Sequence, residues 1–392
     1  MVPTSQKPAW ILPVIVLSQF AGTSLWFAGN AVIPDLIAEI GIPENSTSTI
    51  TSAVQFGFIS GTLLFAVLNV ADRISPRLVF FSCALLAAMS NFSVTLATPT
   101  YTNLLLSRFI IGFFLAGIYP VGMKIAAGWY KDGLGKALGY LVGALVLGTA
   151  FPHLIKSLGK TLEWREIMIW ISIVAAGGGL LLYLLVPDGP YISKGSKFNP
   201  RVIINLFKIP RFKAAALGYF GHMWELYTFW AFVPFLIAMN QTNQPTQYDL
   251  SILSFIVIGS GFFSCIIGGY IALSKGSALV AGLSLLISGL CIAVAPWMLN
   301  APSYLFFPYL IVWGLTVISD SPQFSSLVAK NADPNYVGSG LTIVNCIGFA
   351  ITIFSLSLFD YTSQILIEFT PLVLLPGPIL GLISMRPLFR SN

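Results

Sequence analysis

Residues 250–274 read LSILSFIVIGSGFFSCIIGGYIALS, 25 consecutive positions without an Asp, Glu, Lys or Arg. A bilayer core is crossed by about 20 mostly apolar residues in helical form, so this stretch reads as a transmembrane helix. Comparable runs lie on both sides of it. The whole chain divides into twelve, near residues 9–34, 48–71, 78–97, 101–129, 134–158, 166–186, 213–239, 249–273, 277–298, 303–329, 337–359 and 364–385. Composition agrees: 56% of the residues are hydrophobic and 9% charged, with a mean hydropathy of +0.85, whereas soluble domains carry about 25% charged residues. No water-facing surface can be built from such a chain.

The second half echoes the first at an offset of 200 to 202 residues. Phe20, Pro34 and Leu36 recur as Phe220, Pro234 and Leu236, and Gly112 and Pro120 recur as Gly314 and Pro322. An internal repeat of six helices is the signature of many secondary transporters. The expected fold is an all-α membrane protein of two pseudo-symmetric six-helix bundles: an N-terminal bundle over 1–186, a cytoplasmic linker over 187–210 rich in Gly, Ser, Pro and Lys, and a C-terminal bundle over 211–392.

A net charge of +6 invites a polyanionic partner, but its distribution argues otherwise. With the amino terminus inside, 15 of the 20 Lys and Arg fall in inner segments, from Lys7 to Arg390. Only Lys156, Lys160 and Arg165 fall in outer ones, and Arg108 and Lys124 lie within spans. Such a bias sets topology. Both termini and the linker are therefore expected in the cytoplasm, the setting being a bacterial inner membrane, and no nucleic acid is expected as a partner. The four cysteines, Cys83, Cys265, Cys291 and Cys346, sit inside spans without paired spacing, which argues against structural disulfides or zinc. No metal or other cofactor is expected. A monomer is expected, with a small-molecule substrate, protons and membrane lipid as its partners.

Between the second and third spans the chain reads Asn69-Val-Ala-Asp72-Arg73-Ile-Ser-Pro-Arg77. Here it resembles the major facilitator superfamily, whose loop consensus is Gly-x-x-x-Asp-Arg-x-Gly-Arg-Arg/Lys. Asp72, Arg73 and Arg77 match in place; Leu68, Ser75 and Pro76 depart from it. The resemblance implies a cytoplasmic gate at Asp72, Arg73 and Arg77, whose release lets the halves rock. An ordinary basic loop obeying the topology rule is the alternative. In the fourth span, Arg108-Phe-Ile-Ile-Gly112 fits the family's Arg-x-x-x-Gly signature, which implies a proton-coupling role for Arg108; snorkelling to the interface is the other reading. The fifth span has Gly139, Gly143 and Gly148 followed by Pro152-His153, lacking the Gly-Pro pair of the superfamily's drug/proton antiporters.

Ionisable side chains at hydrocarbon depth are expensive and mark function by default. Here they are Lys124, His153, His222, Glu225 and Asp320. Lys124, a lone cation with no acid four residues away, suits an anionic solute, or else it snorkels or neutralises Asp320 or Glu225. His222 and Glu225, three residues apart, share a helix face. Glu225, sheltered from water, is suited to bind and release a proton, and His222, His153 and Asp320 share that candidacy. The spacing also permits metal ligation, but two histidines and no nearby Cys make a poor metal centre. In the family fold, spans 1, 4, 7 and 10 line a central cavity, which implies substrate contacts from Trp26, Asn30, Lys124, Tyr227, Trp230 and Gln323; Trp26 and Trp230 also suit interfacial anchoring.

The resulting expectation is a secondary active transporter working by alternating access. It would move a small polar solute, anionic or zwitterionic, by proton symport. The alternative is a proton-driven exporter of a cationic or amphiphilic compound, and a more distant one is a receptor that binds without transport. No Walker-type loop is present, and His222 with Glu225 falls short of a catalytic set, so no enzyme is expected.

Overall fold

A computed structural model describes residues 8–130, 134–159, 161–191, 198–242 and 248–389. Lys7, Lys131, Lys160, Lys194, Lys197 and Arg390, all part of the charge asymmetry, lie outside the described residues, as does part of the 187–210 linker. Among the described residues every regular element is helical. Ten helices are long and apolar enough to cross a membrane, and Ile11–Thr23 is a shorter apolar one. The twelfth, Pro210–Thr242, carries Arg211, Lys213, His222 and Glu225 and is correspondingly more polar. The twelve are numbered here in chain order. Their outer surfaces are apolar, with Phe56, Leu106, Trp170, Phe263, Trp297 and Phe354 exposed, as lipid-facing helices require.

In the first half, helix 2 (Ser46–Leu68) packs on helix 4, helix 3 (Pro76–Ser93) on helix 6 (Trp164–Leu185), and helix 1 on helices 5 and 6. The second half repeats the scheme: helix 8 (Leu250–Lys275) packs on helix 10. Each half has a backbone-to-backbone seam at the repeated glycine. A methyl group added to Gly112 would come within 2.0 Å of the Val54 carbonyl oxygen, and one added to Gly314 within 2.2 Å of that of Val257. Only glycine permits such an approach.

The halves meet where helix 5 (Leu134–Leu158) packs along helix 8, and where helix 2 packs along helix 11 (Val337–Ser363). At the face away from the termini, called the distal face, two hydrogen bonds between described residues cross this junction. Ser48 Oγ donates to Asp360 Oδ2 at 3.1 Å, and Ser157 Oγ donates to Asp249 Oδ2 at 2.7 Å. Asp249 lies 201 residues after Ser48, and Asp360 lies 203 after Ser157. The repeat therefore places the four at equivalent positions, with both hydroxyls on the first half and both carboxylates on the second.

Four spans differ from their sequence expectation. Helix 1, expected as one run over 9–34, is broken into Ile11–Thr23 and Ala28–Ala31, followed by an extension, Ile33–Ile40. Helix 4 breaks between Tyr101–Leu115 and Tyr119–Trp129, and helix 10 between Ser303–Ser319 and Ser321–Asn331. The breaks in helices 4 and 10 sit next to Pro120 and Pro322, since proline cannot supply the amide that would continue the ladder. Helix 12 starts as a 3-10 turn over Ile367–Leu374 around Pro371 and becomes α-helical over Pro376–Ser384.

Candidate functional site

Helix 1 has neither Gly nor Pro at Ser24-Leu25-Trp26-Phe27, yet the chain turns there. The break turns the Trp26 ring into the junction between the halves. Its centroid lies 5.6 Å from Tyr227 and 5.7 Å from Phe349, stacked on both, and 5.0 Å from Phe58. Phe58 and Phe349 are 4.5 Å apart, Tyr227 and Trp230 5.4 Å, and Phe27 and Trp230 6.4 Å. Helices 1 and 2 of one half and helices 7 and 11 of the other thus share one buried aromatic cluster. Such ring pairs contribute about 0.5–1.5 kcal/mol each beyond their burial.

Neutral hydrogen-bonding groups accompany the rings. The indole nitrogens of Trp26 and Trp230 are buried without a partner, as are both ends of the Gln55 amide. Asn30 Nδ2 donates to Thr51 Oγ1 at 2.7 Å, leaving Asn30 Oδ1 unpaired. A buried polar atom without a partner costs roughly 1–3 kcal/mol, which marks this grouping as the candidate binding site. Trp26 and Trp230, which also suited interfacial anchoring, lie buried between the halves.

A second, ionisable set lies within the C-terminal half. His222 Nδ1 is 2.8 Å from Asp320 Oδ1, both side chains being inaccessible to water. Asp320 stands at the break of helix 10, so the pair ties helix 7 to that break. Ser288 Oγ on helix 9 (Ser277–Met298) donates to Glu225 Oε1 at 2.7 Å, and Glu225 Oε2 has no partner. At 100° per residue, His222 and Glu225 fall on one side of helix 7, and Tyr227 and Trp230 on another about 140° away. Helix 7 thus presents titratable groups to helices 9 and 10 and aromatic rings to the other half.

Lys124 is the main correction. It is an unpaired cation in the sequence reading, with Asp320 or Glu225 as possible counter-ions. In the structure it is salt-bridged to Asp72, with Nζ also donating to the Ala71 carbonyl at 2.7 Å. Its side chain is 25% accessible. Helix 2 ends at Asn69, which adopts a left-handed conformation at φ 51°, and this turn delivers Asp72 to Lys124. The salt bridge joins two elements of the same half. Arg73 is exposed, and Arg77 stacks over Tyr183 at 5.4 Å. Ser75 Oγ donates to both oxygens of Asp188, at 2.9 and 3.0 Å, tying this turn to the end of helix 6.

Arg108 does not snorkel: it is fully buried, and its contacts lie with helices 1 and 3. His153 is buried on helix 5 with Nε2 unpaired, and Lys156, a turn further on, donates to Asp35 Oδ2 at 2.7 Å. Gln323 is buried on the second piece of helix 10, three residues past Asp320. Sequence reading misses Phe58, Phe349 and Ser288, which look like ordinary span residues. It also misses Gln55 and Asn91, whose polarity within apolar runs is a usable signal.

A family model described as Major Facilitator Superfamily matches residues 15–356. The chain is also 26% identical over 261 residues to the chloramphenicol resistance protein of Streptomyces lividans. That alignment covers 66% of this chain and 64% of the relative, so the chain spans somewhat under two thirds of the relative's length.

Proposed function

The chain belongs to the major facilitator superfamily, and from that premise we propose that it exports an uncharged or weakly cationic aromatic compound in exchange for protons. The observation that carries this reading is the arrangement of helix 7. One side of it contributes Tyr227 and Trp230 to a cluster of rings and unpaired neutral donors; the other contributes His222 and Glu225 to a sealed ionisable set. A shift of this one element that exposes the carboxylates also disturbs the rings, which is the requirement for coupling two ligands. The name of the Streptomyces lividans relative points the same way. Chloramphenicol is a neutral nitroaromatic diol, matched in kind to stacked rings beside amide and indole donors. Support for an anionic solute came from Lys124, and its salt bridge to Asp72 removes that support.

In this reading the face bearing the termini is cytoplasmic, the membrane is a bacterial inner membrane, and a monomer is the working unit. Alternating access follows from rocking of the halves about the helix 5–helix 8 and helix 2–helix 11 contacts. Proteoliposomes containing the full chain test the proposal. An acid interior should drive accumulation of labelled chloramphenicol, and a protonophore should abolish it. Glu225→Gln should lose the pH-driven accumulation by at least tenfold while keeping chloramphenicol counterflow. Absence of any chloramphenicol exchange, with exchange of small carboxylates instead, would reject the proposal in favour of the anionic reading.

A further inference from the structure

We infer that Arg108 is a positioning residue of the aromatic site, holding helix 1 broken so that Trp26 stands between the halves. The inference rests on the proposed role of that site in binding an aromatic compound. A helix interrupted at membrane depth leaves carbonyl oxygens that lipid cannot satisfy. At the helix 1 break, Arg108 Nη2 donates to the Leu25 carbonyl at 2.7 Å and to the Trp26 carbonyl at 3.0 Å. Arg108 is 0% exposed, and its Nη1 donates to Asn91 Oδ1 at 3.2 Å. Asn91 is itself fixed from behind, donating to the Met168 carbonyl at 2.9 Å and to Ser172 Oγ at 3.0 Å. Helices 6, 3 and 4 are thereby chained to the break. Gly29 completes the fit, since a methyl group there would lie 3.1 Å from Arg108 Nε and 3.2 Å from its Cδ.

The repeat supplies an internal control. At the offset that relates Gly112 to Gly314, the counterpart of Arg108 is Leu310, also buried. Positions 291–293, at the offset of Asn91, are Cys, Ile and Ala. Where the cation and its amide are replaced by apolar side chains, helix 7 runs unbroken over Pro210–Thr242. The half with Arg108 has the break, and the half without it has none.

The test compares Arg108→Leu, Arg108→Lys and Gly29→Ala in the full chain labelled with 5-fluorotryptophan, the Trp26 resonance being assigned by Trp26→Phe. In ligand-free protein, Arg108→Leu should shift the Trp26 resonance and slow amide exchange over residues 24–31 at least tenfold, as the helix closes. It should weaken chloramphenicol binding about as much as Trp26→Phe, and the double variant should be no worse than either single one. Arg108→Lys should restore part of both effects, and Gly29→Ala should give a smaller shift of the same resonance. Should Arg108→Leu fail to fold, the Lys and Ala variants decide the matter through the same two readouts. An unmoved Trp26 resonance and unchanged exchange, with loss only of pH-driven transport, would overturn the inference in favour of proton handling by Arg108. Failure of the wild-type protein to bind chloramphenicol would instead reject the substrate reading and leave the ligand-free readouts intact.

Discussion

Helix 1 and helix 7 occupy equivalent places in the repeat and have folded differently. Helix 1 is interrupted at Ser24–Phe27 and hands two carbonyls to the Arg108 guanidinium, while helix 7 is continuous and carries His222 and Glu225 along one side. Duplication supplied the same scaffold twice. The buried polar groups then made one copy a broken helix held at its open carbonyls and the other a continuous helix carrying a buried ionisable set. Arg108 meets neutral acceptors; His222, Asp320 and Glu225 meet one another or a hydroxyl.

The largest test of that contrast is removal of one member of the buried His222–Asp320 pair. Asp320→Ala should destabilise the protein by about 3–5 kcal/mol, because a buried partner is left uncompensated. The double change His222→Leu with Asp320→Leu should recover most of the loss. Thermal unfolding in detergent reads both, and a mild single variant would deny the pair its buried, coupled character. In the first half, Asn91→Ala leaves Arg108 one acceptor short and should cost about 1–3 kcal/mol, less than Asp320→Ala; the reverse order would invert the comparison. At the junction, Ser48→Ala and Ser157→Ala should each weaken distal closure by about 0.5–1.5 kcal/mol. Labelling of cysteines at the distal ends of helices 2 and 11 should rise accordingly, while a Ser48→Cys, Asp360→Cys disulfide should block transport.

Two smaller effects sharpen the picture. Lys124→Ala and Asp72→Asn should each cost no more than about 1 kcal/mol, since the pair is partly exposed. Together they should cost no more than either alone, and chloramphenicol binding should be unchanged. Smallest is Glu39, on the extension after helix 1. It accepts from the Trp164 indole and is salt-bridged to Arg165. The indole hydrogen bond, and then the Arg165 guanidinium, hold its carboxyl below the ordinary range. The contact is therefore complete above about pH 4.3 and is lost as pH falls through the lower folded value. The melting difference between the wild type and Glu39→Gln should narrow below that pH.

Much of the architecture is legible in the chain itself, because the bilayer imposes a length and polarity on every span that any sequence must display. The 200-residue echo announces the halves, whereas the breaks at Pro120 and Pro322 fall inside runs whose hydropathy reads as single spans. The break in helix 1 is invisible locally, since nothing in Ser24-Leu25-Trp26-Phe27 opposes a helix; its cause stands more than 80 residues away at Arg108. Lys124 misleads for the same reason: its acid is 52 residues distant and is delivered by the left-handed turn at Asn69. Polar residues within spans flag the neighbourhood of a site, but the pairing that decides their role is written in tertiary contacts.

The Gly112–Val54 and Gly314–Val257 contacts leave no side chain between the paired backbones to re-pack or slide. In the proposed rocking of the halves, each is a weld and the helix 5–helix 8 and helix 2–helix 11 contacts are the bearings. An inhibitor that jams this protein would have to wedge itself into a bearing, whereas a compound seated anywhere within one welded half would simply ride along.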